Sequence, residues 1–307
     1  MRVSTEFEPY RGELVAYCYR MLGSVHEAED VVQETMLRAW RSRDRYDSTR
    51  ASVRTWLYRI ATNACLTALE GRARRALPSG LGQPSDDTGA ELRPALDIPW
   101  LQPYPDTRFE ITTDLRLALV AAMQVLPARQ RAVLILREVL EFSAAEVARQ
   151  LETTVPAVNS ALQRARAALT GLPAPERISE PDDPRVREVI HRYAQAFEAA
   201  DVPALVRLVT ADAIMEMPPV PLWYRGSADY GRFMERVYAM RGTDWRMRHL
   251  TANGQPALAA YASVPSGGHE FHSLQVFTVI DGLVAVNVVF TDPALAKLFE
   301  IPEHLPG

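Results

Sequence analysis

The sequence predicts a multidomain chain of two all-α units, the second built around a helix-turn-helix, followed by an α+β domain. Three observations carry that prediction. Apolar residues recur at steps of three and four through roughly the first 75 residues and again from about 112 to 170, the period of amphipathic helices. Beyond about 210 the period switches to two, in short runs bounded by turn residues, as half-buried strands require. Proline and glycine crowd into 77–111 and proline into 173–184, which separates 1–76, 112–172 and 185–307. A length of 307 residues also exceeds what one hydrophobic core usually serves.

Composition excludes several classes. Hydrophobic content of 48% and charged content of 23% are those of an ordinary globular protein. No apolar run approaches 18 residues and Met1–Glu8 has no signal-peptide core, so a cytoplasmic protein without membrane contact is expected. Cys18 and Cys65 each fall inside an apolar helical pattern and are expected as buried free thiols, with no metal site and no cofactor. The net charge of −4 conceals a segregation. Arg38 to Arg75 holds ten Arg against Asp44, Asp47 and Glu70, whereas Glu13 to Glu34 holds five acids against Arg20 alone. Neighbouring basic and acidic stretches suit two partners of opposite character, nucleic acid and a basic protein surface.

The first helix is predicted over 5–22, with Phe7, Tyr10, Leu14, Tyr17, Cys18 and Met21 on one side, closed by Gly23. Ser24 then caps a second helix through Glu27–Trp40. That helix has an apolar stripe of Ala28, Val31, Val32, Thr35, Met36 and Ala39, and an acidic one of Glu27, Asp30 and Glu34. A polar loop over 42–50 leads to a third helix, Val53–Leu69. Its inward residues are predicted as Trp56, Leu57, Ile60, Ala64 and Leu69, and its outward ones as Arg54, Arg59 and Asn63. Arg beside aromatic residues suits single-stranded DNA, since Arg neutralises phosphate while rings stack on unpaired bases.

The literal strings Ala28-Glu-Asp-Val-Val-Gln-Glu-Thr-Met-Leu-Arg-Ala-Trp40 and Thr55-Trp-Leu-Tyr-Arg-Ile-Ala-Thr-Asn-Ala-Cys-Leu66 resemble region 2 of sigma-70 family factors of the extracytoplasmic-function group. The resemblance implies that Glu27, Asp30, Gln33, Glu34 and Arg38 contact RNA polymerase core, at the clamp of its beta-prime subunit. It further implies that Arg43, Arg45, Arg54, Trp56, Arg59, Asn63, Arg72 and Arg74 serve the promoter −10 element, with Asn63 and the loop 43–49 holding a flipped-out base. Two departures stand out: Met36 replaces an aromatic residue, and Thr67 and Glu70 interrupt a run that family members keep basic.

Within the first linker, Ile98-Pro-Trp-Leu-Gln-Pro-Tyr-Pro-Asp106 is too apolar for a solvated spacer and is expected to dock on a groove. Its Trp-Leu-x-Pro core resembles the linker motif of sigma factors with a fused C-terminal domain, which implies an interdomain role for Trp100, Leu101 and Pro103. In the next unit Leu115, Leu119, Ala122, Met123 and Leu126 pattern one helix, and Pro127 opens another to Leu140. Ser143 and Thr154 then cap the two helices of a helix-turn-helix, the second with Val158, Leu162, Ala165 and Leu169 inward. Leu126-Pro-Ala-Arg-Gln-Arg-Ala-Val133 and Leu162-Gln-Arg-Ala-Arg166 resemble sigma region 4. That implies −35 recognition by Thr154, Asn159, Ser160, Gln163, Arg164 and Arg166, although family members often carry basic residues where Asn159 and Ala161 stand.

The C-terminal domain is predicted as two helices, a strand, a further helix (Ala228–Met240) and a curved antiparallel sheet, with Asp281-Gly282 as a hairpin turn. This order resembles the SnoaL-like, ketosteroid-isomerase-like cone. Such cones enclose a pocket, expected here among Met215, Met217, Trp223, Tyr224, His249, His272, Asn287 and Phe290. His269 and His272 fall on opposite strand faces and make no metal pair, and no acid–base pair stands out, so no catalysis is expected. Asp292 and Leu295 lie where relatives with this fused domain carry an Asn-Pro-Asp-Lys-Leu type of tail, which adds them to the interdomain set.

The expected function is that of a transcription initiation factor that binds polymerase core, recognises −10 and −35 elements, promotes melting and is regulated in cis by its SnoaL-like domain. One rival is a one-component helix-turn-helix regulator with a ligand-sensing cone, which has no use for the Glu27–Trp40 helix. Another is a SnoaL-like isomerase or cyclase with a DNA-binding appendage.

Overall fold

The computed structural model describes residues 6–106, 115–170 and 183–306. Contacts group the chain into two units, one of 1–75 with 108–172 and one of 76–107 with 173–307. Pro173, Pro175 and Pro181 of the predicted second linker lie outside the described residues.

In the first unit, a short 3-10 turn (Glu8–Tyr10) precedes α1, Arg11–Leu22, so the helix begins later than its apolar period suggests. Gly23, at φ 70°, ends it in the left-handed conformation that glycine adopts without a Cβ clash. Ser24 Oγ accepts from Glu27 N–H and opens α2, Val25–Ser42. The predicted stripe is buried except that Val31 is only half covered. Ser52 caps α3, Val53–Leu69. Its core positions differ from the prediction: Leu57, Tyr58, Ala61, Thr62, Ala64 and Cys65 are buried, while Trp56, Ile60 and Leu69 are half-buried. A hydroxyl pair explains the inward threonine, because Tyr17 Oη and Thr62 Oγ1 lie 2.7 Å apart and satisfy each other. Trp56 instead packs between Tyr46 and Phe7, with ring centroids 4.9 and 6.0 Å away.

The second helical group contains α4 (Leu117–Val125), α5 (Ala128–Leu134), α6 (Ala144–Gln150) and α7 (Val155–Ala168). The helix predicted to Leu140 loosens into a π turn over Ile135–Val139. The buried face of α4 is Leu117, Val120, Met123 and Gln124, not Leu119 and Ala122. Ser143 and Glu146 form a reciprocal capping box at α6.

The second unit contains α8 (Pro184–Glu198), α9 (Val202–Arg207) and β1 (Val209–Glu216), then β2 (Trp223–Arg225) and α10 (Ser227–Arg241). Strands β3 (Trp245–Ala252), β4 (Gln255–Ser263), β5 (His269–Ile280) and β6 (Leu283–Phe290) follow, and α11 (Ala294–Leu298) and β7 (His304–Leu305) close the chain. The sheet order is β2-β1-β6-β5-β4-β3, with β7 on β5. The sheet is not wholly antiparallel, because β1 runs parallel to β6. Register shifts between Ala260 and Tyr261 and between Thr278 and Val279 mark bulges, which bend a sheet and curl it around a core. Asp281 and Gly282 both have positive φ, as a two-residue hairpin turn demands.

The stretch 76–106 belongs to this second unit, with no regular element beyond a 3-10 turn at Pro78–Gly80. Several of its backbone hydrogen bonds go to the cone, and others close within the stretch, as from Leu101 N–H to Ala76 O at 3.0 Å. Ser79 N–H donates to Glu216 Oε1 (3.0 Å), Ser85 N–H to Trp223 O (2.8 Å) and Ala95 N–H to Pro219 O (2.9 Å). Tyr104 N–H donates to Asn253 Oδ1 (2.7 Å), and Asn253 N–H returns to Tyr104 O (2.9 Å). Leu101, Pro103 and Tyr104 are buried there, and Trp100 Nε1–H donates to Ala95 O at 2.8 Å. These bonds satisfy backbone groups of an irregular segment that no regular element pairs.

Candidate protein and nucleic-acid interfaces

Helix α2 turns its apolar stripe inward, so its remaining face must answer to something else. Asp30, Gln33 and Arg38 are exposed, and Glu34 pairs only along the helix, with Arg38 Nε at 2.6 Å. Glu27 differs from the rest of that set. Arg72 Nη1 and Arg75 Nη2 each reach its Oε1 at 2.9 Å, so Glu27 tethers the basic end of the first helical group.

The basic surface is partly occupied within its own unit. Arg43, Arg45 and Asn63 are exposed, and Arg43 lies 5.5 Å from the Trp40 ring centroid. Arg54 is half-buried, pairs with Glu13 at 2.9 Å, and stacks between the Tyr58 and Phe142 rings at 5.0 and 5.2 Å. Arg59 Nη2 pairs with Glu152 Oε1 at 2.9 Å. Glu152 sits in the turn of the helix-turn-helix at φ 51°. Arg59 of the set expected at the −10 element thus contacts the turn of the helix-turn-helix, through a residue outside the set expected at the −35 element. Arg74 is exposed and Arg72 half-spent on Glu27.

On α7, Thr154 is the N-cap, its side chain accepting from Ala157 N–H. Asn159 and Gln163 are exposed, while Arg164 Nη1 donates to Ser160 Oγ at 2.6 Å along the helix. Arg166 points elsewhere, to Glu138 at 2.7 Å on the π turn.

One group has no counterpart in the sequence reading. Arg131, 3% exposed, donates to Met21 O, to Gln124 Oε1 (2.7 Å) and O (2.9 Å), and to Leu126 O (3.1 Å). Gln124 Nε2 in turn donates to Arg20 O at 3.0 Å. Burial pulls the Arg131 guanidinium down to about 10, so it stays protonated at neutral pH without a carboxylate among these partners. These two side chains satisfy the carbonyls that α1 leaves open at its C-terminus. The motif Leu126–Val133 held Arg131 in view, but helical period cannot separate a buried arginine from a solvated one.

In the cone, Met215, Met217, His272 and Asn287 line a cavity, and Trp223, Tyr224, His249 and Phe290 do not. Trp223 Nε1–H donates to Gly82 O and Tyr224 Oη–H to Asp87 O, both on the strap, while His249 stacks on His191 at 5.9 Å. Asp292 Oδ1 accepts from Ala294 N–H at the start of α11, and Leu295 is buried. Among the described residues no cluster of His, Cys, Asp or Glu could hold a metal, and no helix is long and apolar enough to cross a membrane.

Comparison with known proteins finds three family models along the chain. Residues 7–75 match the model for sigma-70 region 2, 116–169 that for sigma-70 region 4, and 190–287 that for the SnoaL-like domain. The sigma factor SigG of Mycobacterium tuberculosis is 46% identical over 318 residues, an alignment covering 98% of this chain and 84% of the relative. This chain belongs to the extracytoplasmic-function RNA polymerase sigma factors. SigJ of the same species is 32% identical over 81% of this sigma factor and 72% of its own length. The crystal structure of M. tuberculosis SigJ shares the fold at a TM-score of 0.68, covering 97% of this sigma factor and 99% of that chain at 24% identity. As a member of the family it works with RNA polymerase and promoter DNA.

Proposed function

We propose that this sigma factor docks on polymerase core through Asp30, Gln33 and Glu34 of α2, at the clamp of the beta-prime subunit, with Arg38 at the edge of the contact. The observation that carries this is an acidic face on a helix whose fold is already secured by the opposite stripe. Opposite charge steers such an encounter and like charge blocks it. Arg43, Arg45, Asn63, Arg72 and Arg74, with Arg54, Trp56 and Arg59 beside them, serve the −10 element. Asn159, Ser160, Gln163 and Arg164, behind the Thr154 cap, serve the −35 element, and Arg166 braces that helix. Regulation in cis runs through the strap at Trp100, Leu101 and Pro103, whose place on the cone supports it, and through the tail at Asp292 and Leu295.

Pull-down of core polymerase with run-off transcription tests the central assignment. Asp30→Arg combined with Glu34→Arg should leave the melting temperature unchanged and abolish core binding. Wild-type affinity in that double variant would remove α2 as the contact.

A further inference from the structure

The cone encloses a cavity of about 630 Å³, within the range that holds whole small molecules. Its walls are largely apolar, contributed by Met215, Met217, Phe233, Met234, Trp245 and Phe271. At one end lies a polar network. Asn287, 1% exposed, sets Nδ2 at 2.9 Å from Tyr230 Oη, 3.1 Å from Gln275 Oε1 and 3.2 Å from Tyr193 Oη. The two tyrosine hydroxyls bond each other, and Tyr193 Oη also reaches Gln275 Oε1 at 3.4 Å. The donor groups at Asn287 and the two tyrosines are thus directed inside the network. What remains is an acceptor, Asn287 Oδ1, which is buried without a partner.

A buried acceptor left unpaired is costly, and an incoming O–H or N–H relieves it. His272 Nδ1 is likewise unpartnered at the wall, and burial holds that imidazole neutral, down at about 4. No Asp or Glu lines the cavity, whereas Arg236 and Arg241 do. Arg236 Nη1 is engaged by Thr88 O and Ala90 O at 2.6 and 2.7 Å, which leaves the exposed Arg241 as the cation at the rim. An apolar barrel with a rim cation and a hydrogen-bond acceptor within selects against cations and for an amphipathic acid.

We propose that the cavity is a binding site for a hydroxylated apolar carboxylic acid, its hydroxyl donating to Asn287 Oδ1 and its carboxylate meeting Arg241. Leu92 and Pro94 of the strap complete the wall, and Ala95 beside them is pinned to Pro219 O. An occupant therefore touches the segment that joins the two helical groups in sequence, and its binding is felt there. This site is separate from the polymerase and DNA surfaces, so its failure would leave the sigma assignment intact.

The test uses the full chain and calorimetric titration with 10-hydroxydecanoate, decanoate and decylamine. The expected result is saturable binding of 10-hydroxydecanoate, roughly tenfold weaker binding of decanoate for the loss of one hydrogen bond, and none of decylamine. Asn287→Leu should bring the two acids to equal affinity, and Arg241→Glu should weaken both. Because Asn287 also ties the core network, Val237→Trp supplies an independent check: it fills the cavity from half-exposed α10 and should abolish binding with the melting temperature kept. The proposal is overturned if wild-type protein binds neither acid saturably. It is equally overturned if decylamine binds as tightly as the acids, or if binding persists unchanged in both Val237→Trp and Arg241→Glu.

Discussion

Asp106 anchors the end of the strap with a carboxyl that burial pushes up to about 6, even though Gly254 N–H lies 3.0 Å from both of its oxygens. A carboxyl with a folded pKa above its unfolded value near 3.8 binds its proton more tightly when folded. Its stabilising contribution is therefore fully present below about pH 4 and is lost as pH rises through about 6. Asp106→Asn keeps a neutral acceptor at every pH. The melting temperature of wild type minus that of Asp106→Asn should thus fall between pH 4 and pH 7.5, and a flat difference would dismiss the titration. His272, held down at about 4, works in the opposite sense and loses stability as pH falls below its usual value of 6.5. It is present in both proteins, so the difference isolates Asp106. None of this was readable from sequence, where Asp106 merely ended a proline-rich island.

The elements were more legible than their faces. Ser24, Ser52, Ser143 and Thr154 all cap the helices that follow them, because a short hydroxyl satisfies an open amide wherever the chain turns into a helix. Which side of α3 or α4 would be buried depended on polar partners in other helices, Thr62 on Tyr17 and Gln124 on Arg20. The same distinction governs α7, the proposed recognition helix. Gln163, exposed and unencumbered by the bonds that hold its neighbours, should read a base edge, and Gln163→Ala should relax preference at one position by about 1–3 kcal/mol. Arg164→Ala should lower the slope of binding against salt by about one phosphate contact. Arg166→Ala should act differently from Arg164→Ala, loosening α7 from the π turn at Glu138. A promoter library with unchanged preference for Gln163→Ala, together with an unchanged salt slope for Arg164→Ala, would remove α7 as the reader.

At the scale of the whole sigma factor, the contact between α3 and the helix-turn-helix, the two proposed readers, raises a problem of distance. Elements centred at −10 and −35 lie on the order of 80 Å apart on duplex DNA, at about 3.4 Å per base pair. Arg59 on α3 and Glu152 in the turn of the helix-turn-helix are 2.9 Å apart. If α3 and α7 read the two elements as proposed, the first unit is expected to open when it engages both at once. Two kinds of contact resist opening, and their magnitudes differ. The Arg59–Glu152 pair is exposed and contributes at most about 1 kcal/mol, screened by salt. The buried Arg131, donating to Met21 O and supported by Gln124, contributes about 2–4 kcal/mol, because its removal orphans buried carbonyls. Arg131→Ala should therefore destabilise the first unit by that amount in urea and lengthen a fluorescence-transfer distance between labels on α2 and α7 at any salt concentration. Glu152→Arg should lengthen it only at low salt. Equal behaviour of the two variants would show that the buried anchor is not the latch.

The sequence alone determined most of the helices, the longer strands and the family to which the chain belongs, because period, caps and literal motifs are local properties of the chain, whereas the short β2, α11 and β7 and the π turn carry no such period. Tertiary structure alone decided which charges remain available. Arg59 and Arg166 sit at exposed positions of their helices and Glu27 at a half-buried one, yet each is drawn into an ion pair with a residue distant in sequence. It also decided that an irregular stretch is a strap on the cone and that Tyr193, Tyr230, Gln275 and Asn287 converge on one floor. Those outcomes rest on partners separated by tens of residues, and a hydrogen bond or ion pair leaves no periodic trace in the sequence of either partner.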